Sequence, residues 1–151
     1  MGHFVSLDGS HGFWVGHSFY STWLRCLAHH IALDGEDDSL EGKIVLRWLY
    51  ATQSDWGIRD FGLDRLREIA AAPRGKEIMR AAVTSFREAL ARMPDPFQND
   101  VLALIEPGDW KFGAVPQTEW LALCAAFLDL IDGKVTNKVG DRIDVLEQYR
   151  T

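Results

Sequence analysis

The chain has 151 residues with 16 basic and 22 acidic side chains, so its formal net charge is −6. This balance argues against a nucleic acid as the partner, because binding to phosphates needs clustered lysine and arginine. Hydrophobic residues make up 47% of the chain and there are only two cysteines. This composition is typical of a globular protein without a disulfide framework and predicts a reducing, cytoplasmic location.

The chain is expected to form a single domain, residues 1–151, without a membrane anchor. Its length is usual for one domain, and no repeat, low-complexity tract or long linker divides it. The N-terminus lacks the basic start and the long apolar run of a signal peptide. The most apolar stretch, residues 120–131, contains Asp129 and is too short to span a bilayer.

Two short runs of alternating residues at the N-terminus predict a β-hairpin over residues 3–16. The runs cover residues 3–8 and 11–16, and Asp8-Gly9 between them is a common turn sequence. Because an isolated hairpin is only marginally stable, this one is expected to pack against the rest of the chain.

Apolar residues at helical spacing then predict helices through residues 18–150. The first stripe, which follows the N-cap candidate Ser18, consists of Tyr20, Trp23, Leu24, Leu27 and Ile31. Shorter helices are expected from Ser39, over residues 63–71 up to Pro73, over residues 98–105, and from Asp141.

Two longer helices have the clearest patterns. One carries a single apolar stripe over residues 78–93 and is ended by Pro94. The other opens at Pro116, is apolar nearly all round, and ends at Gly133, which is typical of a helix inside a bundle. The sequence therefore predicts a mainly α, single-domain bundle of about six or seven helices with a short N-terminal β-hairpin.

Residues 8–30 contain four of the five histidines and one of the two cysteines. Zinc is bound by three or four convergent histidine, cysteine or carboxylate ligands, and the candidate set here is His11, His17, Cys26 and His30. Cys26 and His30 are four residues apart on one helical face, so their side chains can meet. No recognised spacing such as H-E-x-x-H or C-x-x-C occurs, so histidines in the core or on the surface without chemistry are the alternative.

Catalysis has two further candidates. Cys26 and His30 could form a thiolate–imidazole pair, but no third group is implied that would orient the imidazole. Asp129 and Asp132 lie three residues apart near the end of a helix, where paired carboxylates are more often solvated than catalytic. No catalytic residue is assigned.

The acidic segment, residues 34–41, contains five carboxylates and no basic residue: Asp34, Glu36, Asp37, Asp38 and Glu41. Trp56 and Trp110 lie in predicted turns, where each could anchor a partner or cover the core. These seven residues are the candidate partner-binding site. Carboxylates clustered in this way attract a basic partner and accelerate its association.

These features predict a small, acidic, non-enzymatic protein that binds or inhibits a basic, toxin-like protein. Bacterial immunity proteins share this general profile of one acidic domain without a catalytic motif, although no motif here identifies that family. Two alternatives stay open. The chain could be an enzyme or a metal-binding protein that uses the N-terminal His/Cys cluster, or a structural subunit that assembles, for example as a homodimer.

Overall fold

The computed structural model describes residues 2–16, 19, 20, 23, 24, 26, 27, 30, 31, 42, 43, 70–92, 117–138 and 149. Its strands and helices are β1 (Gly2–Ser6), β2 (Gly12–Gly16), α1 (Pro73–Ala91) and α2 (Gln117–Ile131). The described residues between positions 19 and 31 are also helical.

The predicted bundle of six or seven helices is wrong, because the described residues contain two continuous helices, α1 and α2, and a two-stranded antiparallel sheet. A helical stripe shows only that one face of a segment can be buried. Short helices are marginal without tertiary packing, so periodicity alone does not establish them. The helix predicted over residues 98–105 lies outside the described residues. The helices predicted from Ser39 and from Asp141 lie there almost entirely.

The hairpin predicted at the N-terminus is present. β1 and β2 pair antiparallel from Gly2 opposite Gly16 to Ser6 opposite Gly12. β1 ends two residues earlier than the alternation predicts, since the side chains of Ser6 and Asp8 bind the backbone of the turn. On the side of β2 away from β1, the Gly12 N–H donates to the carbonyl of Asn137 at 2.9 Å.

Helix α1 begins at a proline because of two backbone constraints. Pro73 has no N–H to satisfy and its φ already suits a first helical turn. It also disfavours helical backbone at the residue before it, and Ala72 is extended, with φ −82° and ψ 124°. Of the helix predicted over residues 63–71 up to Pro73, residues 70 and 71 are described and are helical, and the others lie outside the described residues. Pro73 itself opens the next helix.

The predicted apolar stripe of α1 is confirmed at the positions that pack inward. The buried members are Ile78, Met79, Ala82, Val83, Phe86 and Leu90. The inward residues of α2 include Trp120, Leu123, Cys124 and Phe127. Gly133 ends this region with φ 71°, a conformation that favours glycine after a helix.

The two helices run antiparallel. The side chain of Gln117, at the start of α2, donates to the carbonyl of Leu90 near the end of α1. At the other end of α2, Asp132, which directly follows the helix, binds Arg80 in the first half of α1. Of the helices described, none is both long enough and apolar enough to cross a membrane.

One aromatic core joins the hairpin, the helical residues before position 31, and both long helices. The Trp23 and Phe127 ring centroids are 4.9 Å apart, and the Phe86 and Trp120 rings meet edge to face at 6.2 Å. Val5 and Phe13 bring the hairpin into the same buried cluster. The hairpin therefore packs against helical structure, as its marginal stability requires.

Candidate functional site

The turn between β1 and β2 holds a connected polar network, here called the turn network: Ser6, Asp8, Gly9, Ser10 and His11. Asp8 Oδ1 accepts from the backbone N–H groups of Ser10 and His11, each at 2.7 Å. Asp8 Oδ2 lies 2.8 Å from His11 Nδ1. A carboxylate only accepts, so Nδ1 carries the proton in this contact.

Ser6 completes the network from the end of β1. Its hydroxyl donates to the His11 carbonyl at 2.6 Å and accepts from the Gly9 N–H at 2.9 Å. Ser6 is the buried polar residue of the described core, 2% exposed. These contacts all lie within residues 6–11, so the network closes the turn and holds the His11 imidazole in one orientation.

The hydrogen bonds around Asp8 favour its ionised form. The His11 backbone N–H, then the His11 side chain and the Ser10 N–H, hold the pKa of the Asp8 carboxyl well below its usual range. The His11 and Asp8 side chains are 42% and 55% exposed. Solvent therefore screens the contact between the two side chains, and its main effect is local order in the turn.

Replacing Asp8 with asparagine is expected to remove part of the pH dependence of stability. The folded-state pKa of Asp8 is lowered, so the carboxylate stabilises the fold above its unfolded pKa of about 3.9. That contribution is lost as the pH falls through the folded-state pKa. Urea midpoints of wild type and Asp8→Asn should differ at neutral pH and converge as the pH drops below about 4.

The control for this experiment is Ser6→Ala, which removes a hydroxyl and leaves the charge of the turn unchanged. It is expected to lower the free energy of unfolding by about 0.5–1.5 kcal/mol per hydrogen bond, because it removes the partner of two partly buried backbone groups. The loss should change with pH much less than the loss caused by Asp8→Asn, because the Ser6 hydroxyl is the smallest of the causes that lower the Asp8 pKa. A constant difference between wild type and Asp8→Asn across the same range would contradict the assigned role of the carboxylate.

His30 contacts α1 rather than the turn network. Its Nδ1 lies 3.0 Å from Ser85 Oγ, and its ring centroid is 5.3 Å from that of Phe86. A hydroxyl and an imidazole at this distance resemble a nucleophile and its base. The same two contacts attach the helical residues near position 30 to α1. This structural role accounts for the distance between His30 and Ser85 without catalysis.

Both cysteines are buried, at 0–1% exposure. The indole N–H of Trp23 donates to Cys124 Sγ at 3.4 Å. Burial raises the pKa of the Cys124 thiol to about 12, although the Trp23 bond acts in the opposite direction. A thiolate nucleophile is therefore disfavoured at Cys124, and burial keeps both thiols away from external reagents.

Neither thiol is expected to react with dithionitrobenzoate in the folded protein at about pH 8, because one is held protonated and both are enclosed. Both should react when the chain is unfolded in guanidinium chloride. Release of thionitrobenzoate measures the outcome, and Cys124→Ser should halve the release after unfolding. Rapid reaction of one thiol before unfolding would show that the core opens at that cysteine.

The two carboxylates proposed as an acid–base pair have separate partners. The Tyr149 hydroxyl donates to Asp129 Oδ2 at 2.9 Å. Burial, together with this bond, raises the pKa of Tyr149 to about 12. Asp132 instead binds Arg80, which lowers the pKa of its carboxyl. These bonds attach Tyr149 to α2 and the end of α2 to α1, and neither requires the carboxylates to act together.

The predicted zinc ligands are distributed over different contacts. His11 lies in the turn network, Cys26 in the core, and His30 against α1. His17 lies outside the described residues. Within the ranges that the structure describes, no three His, Cys, Asp or Glu side chains are grouped to hold a metal ion. The zinc site stays a prediction.

The candidate partner-binding residues all lie outside the described residues. They are Asp34, Glu36, Asp37, Asp38, Glu41, Trp56 and Trp110. Sequence reasoning did not identify Ser85 as the partner of His30. It lies 55 positions from His30, and no local spacing connects the two.

Comparison of the chain with protein-family models, with curated proteins and with solved structures gives no match.

Proposed function

We propose that this chain is a non-enzymatic protein that binds a basic partner protein through its acidic segment, residues 34–41. The observation that carries the proposal is the five carboxylates in these eight residues, which include no lysine or arginine. The chain as a whole has a net charge of −6, which includes these five carboxylates. A local excess of one sign within a field of the same sign speeds the approach of an oppositely charged protein.

In this proposal, the two tryptophans of the candidate site provide the binding affinity that exposed charges alone lack. Exposed charge pairs contribute little affinity, since water and salt screen them. Buried aromatic anchors carry a large share of the binding energy at protein interfaces. In the proposed complex, the carboxylates steer a basic surface into place, and Trp56 and Trp110 are the candidate anchors. Binding of this kind would inhibit a toxin-like partner whose active site is basic.

Contacts of the described residues disfavour thiol chemistry at the cysteines. Cys124 is enclosed and its thiol has a raised pKa. Cys26 is buried at 1% exposure. His11 and Asp8 are engaged in closing a turn. Each of these groups already has a structural role that accounts for its position. For the acidic segment, the alternative to a binding role is a solvated charged face.

Native mass spectrometry of the untagged protein, purified from its own source, is the first test. A second protein bound at a fixed ratio would support the proposal and identify the partner. A bound zinc ion would instead favour the alternative of an enzyme or metal-binding protein. A homo-oligomer of the 17.1 kDa chain would favour an assembly subunit, and a bare monomer would contradict a constitutive complex.

Reversing two charges in the acidic segment is expected to weaken the complex. Glu36→Lys with Asp37→Lys replaces attraction to a basic surface by repulsion, and the dissociation constant should rise by about tenfold or more at low salt. The association rate should fall most, and the effect should shrink as salt screens the charges. Calorimetry and stopped-flow mixing with the identified partner, at two salt concentrations, measure these changes.

The matched control is Glu77→Lys with Glu88→Lys on α1. Both side chains lie on exposed positions of the helix, and the pair changes the net charge by the same four units. An effect of the field of the whole protein would appear equally in both double variants. A loss of affinity confined to the variant at residues 36 and 37 supports the acidic segment as the binding site. Unchanged affinity in that variant would overturn the proposal.

A further inference from the structure

We draw no further inference here: the strongest candidate, the face of the β1–β2 hairpin that carries the Phe4–Trp14 ring pair, carries nothing because nothing in the structure shows what covers it.

Discussion

Replacing Trp23 with alanine is expected to lower the free energy of unfolding by about 3–5 kcal/mol, the usual cost of removing a large aromatic side chain from a core. Trp23 is fully buried. Its ring stacks on Tyr20 at 6.0 Å and meets Phe127 at 4.9 Å. The alanine variant therefore loses the buried apolar area and leaves a cavity where the residues before position 31 meet α2.

Urea unfolding followed by circular dichroism measures this loss, provided that the transition is two-state. Trp14→Ala is the control, because that tryptophan is only partly buried and packs beside Phe4 on the hairpin. Its loss should be clearly smaller. Trp23→Phe separates packing from the indole N–H, since it keeps an aromatic ring and removes the donor to Cys124. Equal losses for Trp23→Ala and Trp14→Ala would contradict the position of Trp23 at the centre of the core.

Replacing Gly12 with alanine is expected to destabilise the hairpin by about 3 kcal/mol, the upper part of the range for overpacking. A Cβ at Gly12 would lie 2.9 Å from the Val5 carbonyl carbon, closer still to its oxygen, and 3.1 Å from Phe4 Cζ. The Val5 atoms belong to the backbone of the paired strand, so they cannot move aside without opening the ladder. Alanine reduces the conformational entropy of the unfolded chain, which stabilises the folded variant by only about 0.4–1 kcal/mol. The steric clash therefore dominates the change in stability.

Gly16→Ala is the matched control in the same strand. An added Cβ there meets nothing within 4 Å, and Gly16 is exposed at the end of β2. The entropic term should then act alone, with a change between zero and about 1 kcal/mol in favour of the variant. Thermal and urea unfolding of both variants test the contrast. If Gly12→Ala is as stable as Gly16→Ala, the close approach of the two strands is wrong.

Local sequence patterns predicted the elements whose geometry depends on near neighbours. Alternation and the Asp8-Gly9 turn predicted the hairpin, and Gly9 has the positive φ, 81°, that such a turn uses. A spacing of three and four residues predicted which side of α1 is buried. Both patterns follow from fixed backbone repeats of two residues for a strand and 3.6 for a helix, so a short segment contains the information.

The same patterns predicted more helices than the described residues form. A stripe of apolar residues records that a face could be buried, whereas a short helix forms only when another surface covers that face. The boundary of β1 was also missed by two residues, because side chains of the turn network compete with the ladder for backbone groups. Neither effect is visible in hydrophobic spacing.

By itself, the sequence determined the net charge, the acidic segment, the hairpin and the buried faces of α1 and α2, since composition and near-neighbour spacing are properties of the chain alone. Only the tertiary structure decided which distant side chains meet. Ser85 lies against His30 across 55 positions, and Trp23 donates to Cys124 across 101. Such contacts depend on how the faces of separate elements pack, and many arrangements bury the same apolar area. The tertiary structure therefore determined that His11, Cys26 and His30, three of the four predicted ligands, occupy a turn, the core and a helix contact.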